Sequence, residues 1–155
     1  MTLTHFHLML NHLPIFGMIV LFFLMAHAVI FKKEKLVKIY LWYFAITALV
    51  TIPVFLTGDP SSEYLKSVFP EVNNDLIENH ETFGYISLII ILVLGVSGLL
   101  ALRFFKGKGK EILPVWFKYS FLIVALISVF AISWAGKTGG DIRHSEITAE
   151  HTIIK

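Results

Sequence analysis

The chain contains no cysteine. Disulfides, thiolate–metal ligands and covalent haem attachment through Cys-x-x-Cys-His are therefore excluded. Charge is almost as scarce. Asp, Glu, Lys and Arg make up 15% of the 155 residues, and none occurs in residues 1–31, 39–58, 82–102 or 119–136. There is also no glycine-rich nucleotide loop and no His-Glu-x-x-His, and no Ser-His-Asp set stands in a workable context. Intramembrane hydrolysis is left without support. The four-carboxylate di-iron bundle is not matched either, because no two Glu-x-x-His motifs fall on separate helices.

What is present is apolar. Hydrophobic residues make up 56% of the chain, and the mean hydropathy is +0.76. That is too apolar for an ordinary soluble domain. Each charge-free stretch is close to the roughly 20 apolar residues that a spanning helix needs. The expected fold is an all-α integral membrane four-helix bundle, up-down-up-down, forming one domain. Its spans are expected at about 8–31, 39–57, 80–103 and 115–135. Asp59-Pro60 reads as the start of a short surface helix over residues 60–69, which Pro70 ends. Asn73 or Asn74 can cap the third long helix. The run GKTGG is expected to end the fourth, leaving a polar tail over residues 137–155. MTLTHFHLML has no basic leader, so the first span is expected to stay in the mature protein. No internal repeat stands out. The net charge of +2 gives no reason to expect nucleic acid.

The loop after the first span carries Lys32, Lys33, Lys35 and Lys38 against Glu34. The loop after the third carries Arg103, Lys106, Lys108, Lys110 and Lys118 against Glu111. The opposite loop holds Asp59, Glu63, Glu71, Asp75, Glu78 and Glu81, with Lys66 alone positive. The positive-inside rule puts the basic loops in the cytoplasm. Both termini and the acidic loop then face outward, toward the periplasm of a bacterial inner membrane.

Six of the seven histidines, His5, His7, His12, His80, His144 and His151, fall at that outer side. A histidine in or beside a bilayer marks a functional site by default. His12 and His80 are expected to lie level on the first and third helices, which suits them as axial ligands of one haem. His7 is five residues before His12, about 140° around a helix, and so would serve a different centre. It pairs in this reading with His144, which the glycine pair Gly139-Gly140 would fold back over the bundle mouth. Arg143 and Lys137 would balance propionates. Asn11 and Asn79 would orient imidazoles. The competing reading of each histidine is a hydrogen-bonded or solvated side chain; it is preferred for His5 and His151. His27 stands alone at the other end and reads as an interfacial histidine. Gly17, Gly84, Gly95 and Gly98 serve either close helix packing or room for a flat macrocycle.

The order His7-x(4)-His12-Leu13-Pro14, then His80, then Gly139-Gly140-x(3)-His144 resembles a family of small bacterial four-helix inner-membrane proteins of unassigned function. The resemblance covers most of the chain. It implies a four-helix membrane domain and, from the recurring histidines, a b-type haem site. Members often carry a longer segment between the glycine pair and the last histidine. The function expected is a membrane b-type cytochrome subunit carrying one or two haems b, an electron carrier rather than a stand-alone enzyme. It would pass electrons between the quinone pool and a periplasmic partner, within the bilayer and beside other membrane redox subunits. His80 with Glu78 or Glu81 is a candidate proton path for quinone, and the acidic loop could dock a basic cytochrome c. Two alternatives stand beside it: a non-catalytic assembly subunit, and a copper- or zinc-handling protein at the same face.

Overall fold

The computed structural model describes residues 3–70, 72–105 and 112–153, with side-chain positions from residue 4 to residue 144. Its elements are α1 (Leu3–Leu10), α2 (His12–Ile30), α3 (Glu34–Leu56), α4 (Gly58–Val68), α5 (Asn74–Phe104) and α6 (Val115–Ile153). No strand occurs among the described residues. Four helical stretches, Thr4–Ile30, Glu34–Val68, Asn74–Phe104 and Val115–His144, are long and apolar enough to cross a membrane. The chain is an all-α four-helix bundle and a multi-pass membrane protein. Each long helix packs on the next, and α6 closes the ring against α2. Short connections make consecutive helices antiparallel.

The buried positions repeat at spacings of three and four. They are Met18, Leu21, Met25 and Ala28 on α2, then Val37, Leu41, Phe44 and Ala48 on α3. Ile91, Leu94 and Ala101 continue the seam on α5, and Phe121, Ala125 and Ile132 on α6. That is the seam of a left-handed bundle. The outward face is equally apolar: Phe16, Phe23, Leu49, Trp116 and Phe130 are each more than 60% exposed. Helices apolar all round belong in lipid, where backbone groups must be satisfied within the helix.

Packing without water to expel depends on close approach. A Cβ on Gly95 would stand 2.6 Å from the Ala48 Cβ and 3.3 Å from the Ala45 Cα. The α3–α5 contact therefore requires glycine there. A Cβ on Gly98 would meet Leu41 at 3.4 Å, an ordinary contact. At the end carrying the lysine loops, buried Lys118 pairs with Glu34, and the Leu113 N–H donates to Glu34 Oε2 at 3.4 Å. Glu34 thus ties the start of α3 to the start of α6.

Prolines set several breaks. Pro14 has no N–H to donate to the carbonyl of residue 10, and α1 ends there. Pro60 likewise removes a donor for residue 56, the last of α3. The surface helix accordingly starts earlier than Asp59-Pro60 suggests, at Gly58. Pro70 follows its end, and the Asn73 side chain caps α5 by accepting from the Asp75 N–H at 2.8 Å.

The run GKTGG does not end the fourth helix, contrary to expectation. α6 continues through it to Ile153. Glycine permits a turn but does not impose one, and packing here favours the helix. Thr138 and Ile142 are buried, and Ile142 joins Val72 and Ile77 in a second apolar cluster flanked by Leu65, Phe69 and Leu76. This cluster welds α4, α5 and the extension of α6 together at the end where the histidines gather.

Candidate functional site

Two histidines meet at this end. His7 on α1 and His80 on α5 lie with ring centroids 6.4 Å apart and planes perpendicular. Both are half-buried. Each is held by a neighbouring helix, His7 by the end of α3 and His80 by α6. His7 Nδ1 lies 3.0 Å from the Val54 carbonyl oxygen and 3.1 Å from Thr57 Oγ1 on the α3 side. His80 Nδ1 lies 2.9 Å from the Ala135 carbonyl oxygen and 3.4 Å from Thr138 Oγ1 on α6.

A carbonyl oxygen can only accept, so Nδ1 of each neutral ring carries the proton and donates. The threonine hydroxyls reinforce this. Thr57 donates to the Val54 carbonyl at 2.8 Å, and Thr138 to the Ala135 carbonyl at 3.0 Å, leaving their oxygens free to accept from the imidazoles. Nε2 is then the nitrogen with the open lone pair in both rings. Among the described residues, neither Nε2 has a hydrogen-bond partner. An imidazole tied through one nitrogen to a carbonyl, with the other left bare, is the arrangement of a metal ligand.

Glycines keep the rings in place. A Cβ on Gly139 would stand 3.0 Å from His80 Cε1 and 3.2 Å from its Nδ1. A Cβ on Gly58 would meet His7 Cε1 at 3.7 Å. Aromatic pairs stand next in sequence to the two carbonyls. Phe55, next to Val54, meets Tyr85 at 6.0 Å, and Trp134, next to Ala135, meets Phe83 at 5.7 Å.

The arrangement is two-fold. In each half, an N-terminal histidine reaches a carbonyl near the end of the partner helix, and a threonine three residues on shares that carbonyl. The sequence carries a related duplication faintly, with His12 rather than His7 in the place of His80. Asn11-His12 with Phe16-Gly17 matches Asn79-His80 with Phe83-Gly84, and Thr57-Gly58-Asp59 matches Thr138-Gly139-Gly140-Asp141. The helix neighbours obey the same symmetry, α2–α3 matching α5–α6 and α3–α5 matching α6–α2.

The other expected site residues lie elsewhere. His12, the sequence counterpart of His80, is exposed and stacks on Phe16 at 6.3 Å. His144 is exposed nine residues beyond Ala135 on the same helix, about 13 Å along the axis. His7 is engaged by Val54, Thr57 and His80. Arg143 is exposed. Lys137 pairs with Asp141 at 3.5 Å and covers the Trp134 ring at 5.0 Å. Asn79 is exposed, and Asn11 Oδ1 is buried without a partner among the described residues, so neither asparagine orients an imidazole. His27 stacks on Phe31 at the opposite end. The side chain of His151 lies outside the described residues. The groups that do orient the imidazoles, Val54, Thr57, Ala135 and Thr138, went unread in the sequence. Backbone carbonyls leave no residue signature, and only the repeated Thr-Gly…Asp marks them.

No third His, Cys, Asp or Glu joins a metal-binding group among the described residues. Two imidazoles alone do not complete the four-ligand shell of a protein-bound zinc. They do suit a metal that arrives with its own equatorial ligands, as haem iron does. Searches of protein-family models, of curated proteins and of solved structures find no match to this chain.

Proposed function

We propose that the chain is a membrane b-type cytochrome subunit, with His7 and His80 as axial ligands of one haem b. The observation that carries the reading is the His7–His80 pair. Both imidazoles are fixed through Nδ1 to carbonyls of neighbouring helices, and among the described residues both Nε2 atoms are bare and no further protein donor is assembled around them.

When bound, haem supplies one-electron chemistry and no proton bookkeeping of its own. The protein's residues do the rest. The Nδ1–H bonds to Val54 and Ala135 fix the tautomer of each imidazole and would raise the basicity of the nitrogens that hold the haem. Thr57 and Thr138 steady those bonds. The half-buried rings at the end of the bundle suit exchange with a partner outside the bilayer. Placement of the lysine loops in the cytoplasm of a bacterial inner membrane, by the positive-inside rule, puts this end at the periplasm. The electrons would pass between the quinone pool and a periplasmic redox protein. The likeness to small four-helix inner-membrane proteins with recurring histidines supports the same reading.

Single replacements test the ligand assignment. His7→Ala and His80→Ala should each abolish the low-spin α-band of the dithionite-reduced protein, while His12→Ala and His144→Ala retain it. The assignment fails if His12→Ala or His144→Ala removes the band and His7→Ala leaves it intact.

A further inference from the structure

His12 leaves a question that the axial pair does not answer. It is the sequence counterpart of His80, it falls within the first stretch long and apolar enough to cross a membrane, and neither ring nitrogen has a hydrogen-bond partner among the described residues. From Ile30, the other end of α2, it is about 27 Å along the axis, at the outer edge of a hydrocarbon core about 30 Å thick. An unpartnered polar group at that depth is costly.

His12 opens onto a groove between α2 and α3 of about 440 Å³. Its walls are apolar, with Leu13, Phe16, Val20 and Ile46 prominent. The polar side chains lining it are His12, Thr47 and Tyr43. Thr47 stands at the floor, its Oγ1 and Cγ2 each 3.6 Å from the place of a Gly17 Cβ. Among the described residues the hydroxyls of Thr47 and Tyr43 have no hydrogen-bond partner. Gly17 is five residues below His12, about 7 Å along the axis and about 140° around α2, so the imidazole and the Thr47 hydroxyl stand at opposite edges of the groove. An acyl chain would satisfy none of these groups. A flat ring with an oxygen at each end and a long apolar tail meets two of the three, His12 and Thr47, at once.

We infer that this groove binds the ring of a lipid-soluble quinone. One ring oxygen meets His12, the opposite oxygen meets Thr47, and the tail runs along Val20 and Ile46 toward Tyr43. Gly17 leaves the floor open for the ring. The site is separate from the His7–His80 pair, and the inference rests on the cytochrome reading only for the fate of the electrons.

The test is a titration of detergent-purified protein with a decyl-substituted benzoquinone, followed by quenching of intrinsic fluorescence. A photoreactive azido form of the same probe is then mapped by peptide mass spectrometry. Saturable binding is expected, with label on α2 and α3. Gly17→Leu fills the floor, and His12→Leu and Thr47→Val each remove a partner. Each should weaken binding roughly tenfold, the effect of about one lost hydrogen bond or its equivalent in space. Phe130→Leu, on the lipid face of α6, should leave affinity unchanged. Thr47→Val is nearly isosteric, so the test survives if Gly17→Leu fails to fold. Equal affinity in the wild type and all groove variants would overturn the inference. So would label spread over every lipid-facing helix, the mark of ordinary lipid. Saturable groove binding by a colourless protein would keep the quinone site and remove the cytochrome reading; a coloured protein with no saturable binding would do the reverse.

Discussion

Adjacent glycines on α6 offer a matched pair of perturbations. A Cβ at 139 lands 3.0 Å from His80 Cε1 and 3.2 Å from Nδ1, whereas a Cβ at 140 meets nothing within 4 Å. Both residues are helical, so alanine at either should gain about 1 kcal/mol of helix propensity over glycine. At 140 nothing opposes that gain, and Gly140→Ala should stabilise the protein by about 0.5–1 kcal/mol. At 139 the methyl pushes the His80 ring off the Ala135 carbonyl. A helix–helix hydrogen bond in a membrane is worth about 0.6 kcal/mol on average. Crowding the ring against its neighbours costs about 1–3 kcal/mol more. Gly139→Ala should therefore be destabilised by about 1.5–3.5 kcal/mol relative to Gly140→Ala. The assay is reversible unfolding in mixed detergent micelles, read by circular dichroism, with the reduced α-band recorded on the same samples. Gly139→Ala should also broaden or lose the band, because a displaced imidazole is a poor axial ligand. Equal stability and identical spectra for the two variants would refute the placement of His80 against α6.

Other consequences follow from packing and charge. Gly95→Ala should destabilise by about 1–3 kcal/mol, because its methyl overlaps Ala48, while Gly98→Ala should be near neutral; the same unfolding assay compares them. Lys118→Met leaves Glu34 half-enclosed without its partner and should cost about 3–5 kcal/mol, whereas the double variant Glu34→Gln with Lys118→Met should recover most of that loss. A double variant no more stable than Lys118→Met would count against the pair. Thr57→Val with Thr138→Val should leave the fold intact and shift the midpoint potential of the bound haem, as potentiometric titration would show; an unchanged potential would mean that the hydroxyls do not tune the imidazoles.

Much of the architecture was legible because charge placement is a blunt and reliable signal in lipid. Stretches without Asp, Glu, Lys or Arg marked the spans, Asn73 marked the start of α5, and Pro70 the end of α4. Glu34 and Lys118 read as loop charges because nothing local shows that two distant loops close on each other. The end of the fourth span was misread for a related reason. GKTGG carries turn residues, but the apolar cluster around Ile142, Val72 and Ile77 is non-local, and it keeps α6 helical. The site followed the same rule. The spans put His12 level with His80, and Pro14 read as a kink near the start of the first helix. The helix is interrupted at residue 11, and it is His7, on the short α1, that meets His80. The faint duplication around His12 and His80 was present throughout, yet one extra residue before Phe16 and one extra glycine after Thr138 put the two copies out of register.

The most direct test of the account is the reduced-minus-oxidised spectrum of the purified chain, made in haem-replete cells, with a pyridine haemochrome assay. One histidine pair predicts a sharp low-spin α-band and a stoichiometry of about one haem b per chain. A featureless spectrum would contradict the account, and two haems per chain would contradict the single His7–His80 centre.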